Sequence, residues 1–377
     1  MIDKNKMPVA VGVAFVWFTT QFGGGFASGA QLVQYFVAFG IWALITPILA
    51  QAIGAVFQWY GLRFAKLHDA YDYRTFNNKF YGKFAPIFSN LYELVYILLL
   101  CLAPSVAFAT GGSTMQSLTG IPYMACTLII GLFIFLVTIF GTDFVRKAAS
   151  TLSVIIIAGL LIVYIPNIIV SWGDIVGNIK TLGANPAPAG PALWSCFIYG
   201  SFQLASIGLL YQHAESFKSE KEAGTSMIYG FIVNSGLIML STLGIMAVAT
   251  NPDLSKDPLP VITLIKGGVG AGFMNPMISI LIILGAVSTA VNMIAGAVQR
   301  VVVALEKPEE RRNDGKPSAK TLICALLCTI LAFAIAQFGL LPLVKVGYGY
   351  LGYVTIVVVL VPFLIRMIGE AMGKVEK

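Results

Sequence analysis

FGGGFASGAQLVQYF, residues 22–36, lies inside the first long apolar stretch of the chain. A glycine in a helix interior costs about 1 kcal/mol relative to alanine. Gly23, Gly24 and Gly25 in a row, with Gly29 four residues on, therefore predict a helix that opens. Apolar sequence flanks the run on both sides, so the opening is expected partway along a membrane span. Unwound backbone at that depth is tolerated only where it is buried in protein or lines a cavity.

The rest of the chain supports a membrane setting. Of 377 residues, 58% are hydrophobic and 11% charged, with a mean hydropathy of +0.84. A soluble domain carries about 25% charged residues. A spanning helix needs about 20 apolar residues, and ten segments qualify: 9–37, 41–63, 84–110, 122–141, 148–170, 191–213, 222–249, 274–305, 319–338 and 342–368. Backbone groups in lipid must pair within the segment, so these read as helices, in an all-α polytopic membrane protein.

The charges test that count. With the N-terminus inside, 20 of the 24 Lys and Arg residues fall on cytoplasmic segments, and only Lys180, Lys256 and Lys266 fall outside. Lys345 sits within the last span. Every cytoplasmic loop obeys the positive-inside rule, and both termini are expected in the cytoplasm. The net charge of +7 is thus topological and implies no nucleic-acid partner. Trp42, Trp172 and Trp194 fall at outer ends, as an interfacial aromatic belt requires. The apolar pattern after Lys4 and Lys6 runs on to residue 39, so it is read as a span and not as a cleaved leader. The expected location is a bacterial-type plasma membrane, multi-pass, with the chain as one transport domain over 1–377.

A second interruption is expected in the sixth span, at Tyr199-Gly200-Ser201-Phe202-Gln203. Five spans separate it from the first, so the halves 9–170 and 191–368 would be inverted copies. Paired interruptions at matching positions of two halves point to a transporter's binding site. A stub starting near Phe26 would offer free N–H groups and a positive dipole end, and one ending near Phe22 free carbonyls. The expected substrate site comprises Gln21, Gly23, Gly24, Gly25, Phe26, Ser28, Gln31, Tyr199, Ser201, Phe202 and Gln203. All are uncharged, which suits a small neutral or zwitterionic solute.

Cys101, Cys126, Cys196, Cys324 and Cys328 lie in apolar stretches without a CxxC pair, and the only histidines are His68 and His213. No metal site or cofactor is expected. Nor is there a catalytic cluster at helical spacing, so an enzyme is not expected. A ring of charges or a repeated carbonyl filter, the marks of a channel, is also missing. Glu93, within FSNLYELVYILLL, is the one acid well inside a span, and reads either as a proton carrier or as half of a structural pair. The apolar patch PLPVITLIKGGVGAGF, 258–273, is too short to span and is read as a cap over the outer vestibule or a packed loop. EKPEERRNDGKPS, 306–318, reads as a solvated cytoplasmic turn, and 140–150 as an amphipathic stretch at the inner interface.

GGGFASGAQLVQYF resembles the first-helix motif of the YkvI-like membrane proteins, roughly G-A-G-F-A-S-G-Q-E followed by an aromatic pair. FIYGSFQ, 197–203, is similar to their sixth-helix motif Y-V-S-Y-N. KEAGTSMIYGFIVN, 221–234, and VKVGYGYLGY, 344–353, resemble the seventh- and tenth-helix patterns. Two positions depart from the family: Ala30-Gln31 stands for Gln-Glu, and Phe202-Gln203 for Tyr-Asn. The resemblance implies the amino acid–polyamine–organocation superfamily and the LeuT fold, ten helices in a 5+5 inverted repeat with helices 1 and 6 broken. It implies a secondary transporter of an amino acid or related amine by alternating access. A solute-sensing receptor subunit without transport is the alternative on the same fold. In ILGAVSTAVNMIAG, 283–296, Gly285, Ser288 and Thr289 resemble the hydroxyl side of a LeuT-type sodium site, with carbonyls of Phe22 and Gly25 opposite. Sodium is the candidate coupling ion. The fifth span lacks the lysine that replaces sodium in some relatives.

Overall fold

The computed structural model describes residues 8–140, 142–305 and 318–373, with no side-chain placement for 142–153 and 303–305. The turn expected over 306–318 falls, but for Ser318, outside the described residues, and so do the side chains of most of the stretch 140–150. The described secondary structure is all helical.

The first span is three short helices, α1 (Val9–Gln21), α2 (Gly24–Ala27) and α3 (Ala30–Tyr35). A 3-10 segment, Val37–Leu44, turns at Gly40 and leads at 76° into α4 (Thr46–Leu67), where Pro47 occupies the first turn. The short α5 (Tyr73–Tyr81) starts at an Asp72 cap and precedes α6 (Ala85–Thr119). Next come α7 (Tyr123–Phe140) and α8 (Thr142–Val170). At its end α8 bends 75° into α9 (Trp172–Ala184), a helix where only an outer loop was expected.

The second half holds α10 (Ala189–Gln203), α11 (Lys221–Ile245), the short α12 (Pro260–Lys266), α13 (Ala271–Leu305), α14 (Ala319–Ala336) and α15 (Leu340–Ala371). The last contains two π-helical turns, Leu343–Gly347 and Ile356–Leu360. Among the described residues, seven helices are long and apolar enough to cross a membrane, or nine if each bent pair is one span. The first span falls outside that count because its longest piece has 13 residues.

Helix pairing shows the repeat. α1 packs on α11, and its counterpart α10 packs on α4. The α6–α7 pair is matched by α13–α14, α6–α14 by α13–α7, and α8–α13 by the contacts of α6 with α15. The pairs α4–α11, α6–α13 and α7–α14 map onto themselves. Replacing each span by the one five later thus returns most of the contacts. Some counterparts are unmatched: α8 packs on α11, but among the described residues no comparable contact joins α15 to α4. The outer half of the sixth span, α10, packs closely on α15, whereas among the described residues no comparable contact joins α1 to α8.

At the basic end of the bundle, Arg63 of α4 pairs with Glu220 (3.1 Å) and with Glu370 of α15 (2.8 Å). The ends of α4 and α15 and the start of α11 therefore share one face, the inner face by charge. Leu132, Phe140, Ile330 and Ile365 point outward from α7, α14 and α15, as a lipid-facing surface requires.

Candidate functional site: a broken first span and a sealed sixth

The first span opens at two residues. The Phe22 amide makes the last helical bond of α1, to Phe18 (2.9 Å). Phe22 then turns to φ −81°, ψ 66°, and the Gly23 amide reaches back to Gln21 (2.9 Å), an inverse γ-turn. Gly23 is extended (φ −87°, ψ 177°). No backbone hydrogen bond among the described residues ends on the Phe22 carbonyl.

The remaining glycines do not unwind as expected. Gly24 and Gly25 lie in the single turn of α2 and serve close packing. A Cβ on Gly24 would sit 2.8 Å from the Thr110 hydroxyl of α6, and one on Gly25 2.9 Å from Gln31 Nε2. The stub amides expected to be free near Phe26 are also engaged: Phe26 and Ala27 both donate to the Gly23 carbonyl (3.1 and 3.0 Å). Ser28 is fully buried, donates to the Gly25 carbonyl (3.2 Å) and accepts from the Ala30 amide (3.2 Å). A second kink follows at Gly29, whose φ of 87° requires glycine. Here the outer cap lands: the Val261 amide of α12 donates to the Ser28 carbonyl (3.2 Å). The apolar patch over 258–273 thus packs on the first span from the outer side, with Gln34 also reaching Ser255 (2.8 Å).

The sixth span does not open where the sequence predicts. α10 stays α-helical through Tyr199, Gly200, Ser201, Phe202 and Gln203, and tightens into a 3-10 helix, Leu204–Leu209, only beyond them. The reason is packing. A Cβ on Gly200 would lie 3.2 Å from the Ala50 carbonyl of α4, so this glycine lets two helices touch. Ser201 is buried and bonds back to Phe197 (2.6 Å). Tyr199 and Phe202 stack with Tyr35, Phe36 and Tyr348 at ring distances of 4.7–5.4 Å, an aromatic plug between the first, sixth and tenth spans. Tyr35 fastens it by donating to the Val344 carbonyl (2.9 Å) and accepting, at its own carbonyl, from Ser195 (2.9 Å). The 3-10 segment beyond is held in turn: the Gly208 amide donates to Tyr92 (2.9 Å), which donates to the Ala205 carbonyl (3.3 Å).

On the inner side of the break lies a cavity of ≈ 170 Å³. Thr19, Phe22, Ser288, Thr289 and Asn292 line it, with Ile156 from α8 and Leu209 from the 3-10 segment. Thr19 and Asn292 are exposed there. Three residues expected at a sodium site, Phe22, Ser288 and Thr289, share this cavity with Gly285. Gly25, the fifth, is not part of the wall, and its carbonyl accepts from Ser28. Thr289 donates to the Gly285 carbonyl (3.0 Å), which uses its proton and leaves its lone pairs.

Glu93 is paired. It accepts a short hydrogen bond from Tyr73, and its other oxygen lies 3.3 Å from Arg300 of α13. The Arg300 guanidinium sits over the rings of Tyr73 (4.3 Å) and Tyr96 (4.1 Å). An acid so held couples α6 to α13.

The structure brings in residues that sequence reasoning passed over, Thr110, Tyr35, Tyr348 and Gln51, together with Asn234, which reads from the sequence as an interhelical hydrogen bond but donates to Gly230 of its own helix (2.8 Å). Gln51 and Gln58 carried a usable signal, two amides seven residues apart on one face of an apolar helix. The partners of Gly24 carried none, since only the fold brings Thr110 to it.

Neither a known protein family nor any curated protein sequence matches the chain. A solved structure does. The fold is similar to that of a histidine-to-alanine mutant of a manganese transporter from Eremococcus coleocola, with a TM-score of 0.55 and 16% identity. The match covers 94% of this chain and 78% of that one. The chain has the LeuT-type fold.

Proposed function

We propose that this protein is a secondary transporter that carries a small organic solute, an amino acid or related amine, by alternating access. The observation that carries the reading is the Phe22–Gly23 break, which leaves the Phe22 carbonyl without a backbone partner among the described residues, beside a cavity into which Thr19, Ser288, Thr289 and Asn292 face, while the opposite side is plugged. Such a geometry is one of a pair of states, open on one face and closed on the other. Membership of the YkvI-like group and its superfamily accords with the motifs at 23–36 and 344–353.

The cargo of the structural neighbour is not carried over. Manganese is a hard divalent cation that favours carboxylate, carbonyl and water oxygens. The polar groups of the cavity, Thr19, Thr20, Ser288, Thr289 and Asn292, are neutral. Among the described residues, no cluster of three or more His, Cys, Asp or Glu could hold a metal ion. A neutral site suits a solute of low net charge. Sodium fits as coupling ion at the Phe22 carbonyl and the Ser288 and Thr289 oxygens, because neutral oxygens suffice for a monovalent ion.

Uptake of a panel of amino acids and amines into proteoliposomes, with sodium or with choline outside, tests both parts. The proposal expects accumulation of at least one solute, faster with sodium. Binding of a solute without any flux would favour a receptor. Flux indifferent to sodium would remove the coupling site.

A further inference from the structure

The break has a second hollow on its other flank. It lies between α1, α4 and α11, is lined by Gln21, Gln51, Asn234, Phe22 and Phe26, and has a volume of ≈ 10 Å³. That is room for about one water-sized group. Phe18 and Phe22 form the wall it shares with the larger inner cavity.

Its chemistry is that of an acceptor. Gln51 is 2% exposed, and its Oε1 has no hydrogen-bond partner. Such an oxygen has given up its water without gaining a partner, so a donor placed in the hollow would relieve it. Asn234 commits its amide nitrogen to the Gly230 carbonyl (2.8 Å), so its oxygen remains for the hollow. Gln21 presents its nitrogen toward Gly54 of α4 and makes no side-chain hydrogen bond among the described residues. Three carboxamides therefore converge on a space one heavy atom wide. The C-terminal end of α1, at Gln21, adds the negative pole of a 13-residue helix. The rings of Phe22 and Phe26, 4.8 Å apart, offer π-faces at the same place.

A primary ammonium group matches each of these features. It is one heavy atom wide, carries three N–H donors and no acceptor, and bears the charge that a helix C-terminus and aromatic rings favour. We infer that this hollow is the seat for the primary ammonium group of the transported solute, with Gln51 and Asn234 as binding residues on spans outside the expected site. The inference rests on the transporter reading and narrows its substrate class. The rest of the solute extends past Gly23, beside which a Cβ would meet nothing within 4 Å.

The experiment uses the purified full chain and follows thermal melting with n-butylammonium and with its N,N,N-trimethyl analogue, beside a panel of amino acids. The wild type is expected to be stabilised by n-butylammonium and not by the analogue, which has no N–H donor and exceeds the seat. Gln51→Met is expected to weaken the primary amine about tenfold or more, the loss of one hydrogen bond to a charged group. Ser288→Ala, in the other cavity, is expected to keep the discrimination. If Gln51→Met does not fold, the wild-type comparison of the two amines decides alone. Equal response to both amines overturns the seat, as does undiminished preference in Gln51→Met, and the transporter reading then stands. Stabilisation by solutes that lack an amine, with none by n-butylammonium, also overturns only the seat. No stabilisation by any solute overturns both.

Discussion

The first and sixth spans occupy equivalent places in the two halves, yet the chain treats them differently. The first opens at Phe22–Gly23, kinks again at Gly29, and leaves α1 without close contact to α8 among the described residues. The sixth keeps its α-helix through Gln203, is plugged by Tyr199 and Phe202, and packs on α15. The same repeat thus holds one closed flank and one open flank. Glycine is present in both, and its neighbours decide its role. Gly23 borders empty space, whereas Gly200 borders the Ala50 carbonyl.

The largest effect expected from breaking this contrast is at Gly230, where a Cβ would lie 2.3 Å from the Trp17 ring that holds α1 against α11. Gly230→Ala is expected to destabilise by about 3 kcal/mol, the upper range for overpacking, read as a large fall in melting temperature. Gly200→Ala sharpens the comparison by its sign. In an unwound segment alanine would favour the helix and raise stability by up to about 1 kcal/mol. In the packed helix it is expected to cost about 1–2 kcal/mol by overpacking. Gly23→Ala, at an open and extended position, is expected to shift melting by less than about 1 kcal/mol, in the stabilising direction.

Smaller effects lie away from the breaks. Arg300→Gln removes the partner of Glu93. Both side chains are about one-third exposed, so the ion pair itself is worth under about 1 kcal/mol. Glu93→Gln is expected to keep uptake, as a tie between α6 and α13 would; loss of uptake in a folded variant would make the acid part of the transport machinery. Asp72→Ala is expected to cost about 1 kcal/mol through loss of the α5 cap. Burial raises the Asp72 pKa, but hydrogen bonds from Thr75 and Arg74 outweigh it and hold the value below the usual 3.8. Its contribution is therefore present above that pH and fades as the pH falls below it.

Much of this architecture is legible in the sequence. Apolar length and the placement of Lys and Arg locate most of the helices, because burial in lipid acts on every residue of a span, although α6 runs nine residues past the expected end at 110. The opening at Phe22–Gly23 is legible for the same reason that glycine runs are rare in helices. The sixth span misleads because glycine has two uses, unwinding and close approach, and Gly200 cannot reveal which without Ala50 beside it. The helix α9 escapes a reading by hydropathy, since it turns 75° away from α8 where only a loop was expected. Gln51 and Asn234 escape a search for matched breaks, because they come from unbroken helices that only tertiary packing sets beside Phe22.

In this arrangement the first span is open to water from the inner side while the sixth is sealed. Labelling with a membrane-impermeant thiol reagent in inside-out vesicles tests it most directly, using single cysteines in a chain whose five native cysteines are replaced. Thr19→Cys and Asn292→Cys are expected to be modified rapidly and Ser201→Cys to be protected. Protection of all three, or equal modification of Ser201→Cys, would contradict it.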